Sequence, residues 1–138
     1  MKISGDYDLC NADLRDGTYT VNGRAWKVCK THAKTKNSCA VATTVVNGTT
    51  VRLEIPDEWR MGSLSVGRTV VEGCILNTDD IEDPMIARLA EDGYIAMHAC
   101  MDALAAEKVT RREAENAAEQ ARRVREDAKR AAAIARLR

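Results

Sequence analysis

The sequence predicts an α+β protein: a small antiparallel sheet built from β-hairpins over the N-terminal two-thirds, then a short helix and a long C-terminal Ala-rich helix able to form a coiled coil. Three observations predict it. Asn22-Gly23 and Asn47-Gly48 each divide a run of β-branched or aromatic residues; Val51-Arg52-Leu53-Glu54-Ile55 alternates apolar and charged side chains; and no Gly or Pro occurs from Tyr94 to Arg138. These signals divide the chain into a hairpin module over 1–40, an antiparallel β region over 41–78 and a helical region over 79–138.

The first hairpin joins Thr18-Tyr19-Thr20-Val21 to Arg24-Ala25-Trp26-Lys27-Val28. Asn-Gly accepts the two successive positive φ angles of a type I′ turn, whose twist matches that of the flanking strands. A two-residue turn sets Val21 opposite Arg24 and Tyr19 opposite Trp26, an aromatic cross-strand pair worth about 0.5–1 kcal/mol. The second hairpin repeats this chemistry around Asn47-Gly48. Its return strand, Val51–Ile55, alternates as a strand does when one sheet face is buried and the other wet. Pro56-Asp57 closes it. Leu64 and Val66 before Gly67, then Thr69 to Leu76, add further strands, with a turn at Gly67 and a bulge at Gly73. About five or six strands result, an ordinary sheet size.

Asp83 before Pro84 marks a helix start, an N-cap followed by a proline at the first helical position. The first helix is expected to run from Pro84 to about Asp92 and to stop at Gly93; a second, long helix begins at Tyr94. Within it Ala114, Ala117, Ala121, Val124, Ala128, Ala131 and Ala135 recur at alternating spacings of three and four, a heptad seam. The upstream apolar line, Tyr94, Met97, Met101 and Leu104, runs in another phase, so the packing partner is expected to change near Thr110-Arg111-Arg112. Alanine buries little area but permits close backbone approach, which suits a tight antiparallel helix pair or docking into a partner's groove. Glu119, Arg122, Arg123, Glu126, Asp127, Lys129 and Arg130 stand at pairing distances of three and four. Arg111, Arg112, Arg125, Arg136 and Arg138 are left as candidates for contact with phosphates.

The formal charge is zero, from 21 Lys and Arg against 21 Asp and Glu, but it is segregated. Residues 1–40, 41–107 and 108–138 balance at +3, −8 and +5. A basic tail therefore coexists with an acidic middle, and neutrality does not exclude a polyanionic or acidic partner. Phe is absent and aromatics are 4% of the chain, so the core rests on Val, Ile, Leu, Met and Ala. No apolar run suits a membrane span, and Met1 to Asp8 lacks the layout of a signal peptide, so a cytoplasmic protein is expected.

Five cysteines, an odd number, point to reduced thiols. Cys29 and His32 stand at Cys-x2-His spacing as the first hairpin ends. With Cys10 before the hairpin and Cys39 after it, they form a candidate structural zinc set, which would add folding energy to a thin core. No second cysteine stands where a complete knuckle needs one; Tyr7 is there instead. His98 has no legible catalytic partner, the acids at 79–83 lack EF-hand spacing, and neither a phosphate-binding glycine loop nor a serine nucleophile elbow occurs. The expected function is a non-enzymatic binding protein that oligomerises or docks on a partner protein through its C-terminal helix, of a kind that suits a phage or mobile-element accessory role. The alternative is a nucleic-acid-binding protein using the basic N- and C-terminal segments.

Overall fold

The computed structural model describes residues 14–32, 38–56, 61–74 and 78–138. Asn22 and Asn47 both take φ 49°, and Gly23 and Gly48 both take φ 78°, the paired positive angles of the turn that Asn-Gly favours. Each turn joins two strands: β1 (Gly17–Val21) to β2 (Arg24–His32), and β3 (Ser38–Val46) to β4 (Thr49–Pro56). Tyr19 pairs with Trp26 and Val21 with Arg24, as the two-residue turn requires. A third hairpin joins β5 (Met61–Val66) to β6 (Thr69–Cys74) through Gly67 at φ 60°, whose N–H donates to the Thr50 carbonyl at 3.1 Å.

All six strands form one antiparallel sheet in the order β1-β2-β3-β4-β5-β6. The boundary expected at residue 40 falls inside β3, because β2 and β3 are paired from Lys27 opposite Thr43 to His32 opposite Ser38. Gly73, expected as a bulge, sits in the regular ladder opposite Gly62. Two glycines facing each other leave no side chain to displace the backbone, so the pairing continues through them.

The pleat sends alternate residues to opposite faces. One face holds Trp26, Val28, Ala42, Val51, Leu53 and Leu64, all buried. Thr44 is buried there too, and its hydroxyl donates to the Ala25 carbonyl at 2.7 Å, beyond the paired stretch of β2 and β3.

The helical region differs from the expected pair of helices. One helix, α1 (Pro84–Arg136), runs without interruption through Gly93. Its start is as read from the sequence: Asp83 Oδ1 accepts hydrogen bonds from the N–H groups of Met85 at 2.9 Å and Ile86 at 3.4 Å. Gly93 is a packing residue. A Cβ there would stand 2.8 Å from Leu53 Cδ2 and 3.3 Å from Trp26 Cζ3, so the helix backbone lies on the sheet where only hydrogen fits. Leu89, Ala90, Tyr94, Ala96, Met97 and Cys100 complete the core from the helix side. The chain separates into two compact units, 1–104 and 105–138.

Candidate functional site

From Ala105 to Arg138 every residue except Glu119 is exposed. All seven seam residues are therefore open, and Val124 is 58% and Ile134 48% exposed. In a continuous helix, residues three and four apart share a face. Ala114, Ala117, Ala121, Val124, Ala128, Ala131 and Ala135 therefore form one apolar stripe along this unit.

The ion pairs lie away from that stripe. Arg122 donates to Glu119 at 2.6 Å and to Glu126 at 2.9 Å, and Arg123 to Glu119 at 3.3 Å. Hydrogen bonding from Arg122, then from Arg123, holds the Glu119 carboxyl below its ordinary value. Heptad geometry places these four residues on the back of the helix, so pairing stabilises it locally and leaves the seam clear. Arg111, Arg112, Arg125, Arg136 and Arg138 make no ion pair among the described residues. The packing change expected near Thr110 falls just beyond the last half-buried residue of the upstream line, Leu104.

The candidate zinc residues are placed in part. Cys29 pairs with Val41 and Cys39 with Thr31, so both cysteines share the sheet face opposite the core, two register positions apart on neighbouring strands. His32 pairs with Ser38, a register position that alternates with theirs. Cys10 lies outside the described residues. Among the described residues, no three of His, Cys, Asp and Glu come together to hold a metal ion. Burial, and then the charge of Asp16, pushes the Cys29 thiol above its ordinary value, which disfavours the thiolate that metal binding or nucleophilic attack needs.

That open sheet face carries two shallow hollows of about 470 and 480 Å³, both lined by Thr18, Lys27 and Thr43. The ladder runs Thr18, Lys27, Thr43, Arg52 across four strands, so the two cations flank a threonine. Arg52 is also ion-paired to Glu54 on its own strand. The surface offers hydroxyls and cations. This row was not legible in the sequence, because the pairing of β2 with β3 spans a connection with no turn signature.

A polar link between turn and helix also escaped sequence reasoning. Asn22 Nδ2 donates to Asp92 Oδ1 at 2.8 Å, and Asp92 is only 3% exposed. Cys100 Sγ makes a comparable tie, donating to the Arg15 carbonyl at 3.4 Å ahead of β1. Among the described residues no helix is long and apolar enough to cross a membrane. Comparison with protein-family models, with curated proteins and with solved structures finds no match.

Proposed function

We propose that this is a non-enzymatic binding protein that acts through the helical unit of residues 105–138, by oligomerising or by docking on a partner protein. The carrying observation is the exposed heptad seam, kept clear by ion pairs on the opposite side of the helix. Most helices in proteins draw their stability from packing an apolar face. A helix that served only as a solvated rod would need charge pairs but no uninterrupted apolar register. The seam is the part of this unit that solvation leaves unexplained and that a second helix would cover.

The full-length chain carrying Ala121→Glu and Ala128→Glu tests this. Charges on the seam must be desolvated in any complex. Oligomerisation measured by light scattering, or binding to an isolated partner, should weaken at least ~10-fold. The sheet's near-ultraviolet circular dichroism should not change. Unaltered association would refute the reading.

A second reading, nucleic-acid binding, is favoured by the five arginines that form no ion pair among the described residues. It predicts affinity for duplex DNA that falls steeply with salt. Arg111→Glu with Arg112→Glu should abolish binding at physiological salt, and Arg111→Ala with Arg112→Ala should reduce the log–log salt slope by about two. Binding indifferent to salt would remove this reading.

A further inference from the structure

We infer that the occupant of the seam is a second copy of this chain, lying antiparallel, with Ala121 of each helix against Val124 of the other. The inference rests on the reading of residues 105–138 as a docking helix and adds the partner, its direction and its register.

The exposed part of the helix runs from Ala105 to Arg136, and its midpoint falls beside Ala121, one turn from Val124. An antiparallel pair centred there covers nearly the whole exposed length. Val124 is the one large residue among seven seam positions, the rest being alanine. In this register its bulk meets the small Ala121 of the second copy, so the two backbones stay close along the seam. A parallel, in-register pair would stack Val124 on Val124 and force the helices apart between alanine layers.

Charge selects the same arrangement. Residues 105–121 carry four acids and three bases, whereas 122–138 carry two acids and seven bases. An antiparallel pair sets the strongly basic half against the weakly acidic one, and a parallel pair sets basic against basic.

The edges of the seam then choose the register. Arg111, Ala118, Arg125 and Ala132 follow one edge at seven-residue intervals; Glu113, Gln120, Asp127 and Ile134 follow the other. In antiparallel pairs each edge faces its own counterpart, and edge residues set alignment. With Ala121 on Val124, each arginine of the first edge faces an alanine: Arg111 meets Ala132, and Arg125 meets Ala118. Along the second edge Glu113 faces Ile134 and Gln120 faces Asp127. No like charges meet. Sliding by one heptad in one direction sets Arg125 against Arg125 and Asp127 against Asp127 of the second copy. Sliding in the other direction sets Arg111 against Arg125 and Glu113 against Asp127. Both neighbouring registers are penalised by like charges on both edges.

Ala118→Glu in the full-length chain reads this geometry directly, because it places a carboxylate opposite Arg125 of the second copy at two symmetric points. Sedimentation equilibrium should show a dimer whose dissociation constant falls about threefold or more relative to the unmodified chain. Adding Arg125→Ala should cancel that gain, which separates it from any effect of the new glutamate on its own helix. In a parallel pair the new carboxylate would face Glu113 of the second copy and weaken the dimer; in the shifted registers it would face its own counterpart or Ala132. A dimer that is weakened or unchanged overturns the orientation and register while leaving the docking helix in place. A chain that remains monomeric at high micromolar concentration overturns the second copy as occupant. The docking reading is then decided by whether Ala121→Glu with Ala128→Glu abolishes binding to an isolated partner.

Discussion

Replacing Leu53 by Ala is expected to destabilise the sheet-and-helix unit by about 2–5 kcal/mol, and adding Gly93→Ala to that variant is expected to restore part of the loss. Leu53 is fully buried, and its Cδ2 is the atom nearest to where a Gly93 side chain would begin. In the unmodified chain Gly93→Ala pushes a methyl group against Leu53 and Trp26 and should cost about 1–3 kcal/mol as overpacking. In an open helix the same exchange gains about 1 kcal/mol, since glycine is a poor helix former. Once Leu53 is shortened, the closest obstructing atom is gone, only the 3.3 Å approach to Trp26 Cζ3 and the 3.4 Å approach to the residue 53 Cβ remain, and the methyl group enters the cavity that the leucine leaves. Urea denaturation of the four proteins should therefore show Gly93→Ala changing sign with its neighbour. Additive costs would mean that the close approach of helix to sheet does not govern this position.

The second large effect concerns the hairpin asparagines, which share a backbone conformation but not an environment. Asn22→Gly keeps the positive φ and removes the hydrogen bond to Asp92, leaving a carboxylate that is 3% exposed without this partner. A hydrogen bond to a charged group in such a setting is worth about 1.5–3 kcal/mol, and Asn22→Gly should cost that much. Asn47→Gly, at an exposed turn with the same φ, should cost no more than a few tenths of a kcal/mol. Adding Asp92→Ala to Asn22→Gly should cost little more, since the stranded acceptor is removed with its donor. Equal effects at the two turns would show that Asn22 serves the turn alone.

The two positions also show how far the fold was legible. Asn-Gly between β-branched runs specified the turns, their φ angles and the Tyr19–Trp26 register, because a two-residue turn leaves the strands one alignment. Asp83-Pro84 marked the helix start for an equally local reason, the cap bonds spanning two and three residues. Gly93 was read as a helix stop on the same local logic, and there the logic failed. Its conformational cost is offset by the contact that its missing side chain permits with Leu53 and Trp26.

The candidate site divides in the same way. The heptad seam and the pairing of Glu119 with Arg122 and Arg123 follow from helical spacing and were readable from the chain. Glu126, expected to pair also with Lys129 and Arg130, is held by Arg122. Several bases compete for one carboxylate, and spacing alone does not rank them.

The sequence by itself determined the turns, the helix cap, the alternation that makes one sheet face apolar, and the phase of the seam. Each of these is decided by residues within about one helical turn or one hairpin of each other. Only the tertiary structure decided that the helix continues through Gly93, that Asn22 reaches Asp92 seventy positions away, and that Lys27 and Arg52 align across β3. Those outcomes depend on which distant surfaces come into contact, and a glycine, an asparagine or a lysine carries no local mark of the neighbour it will meet.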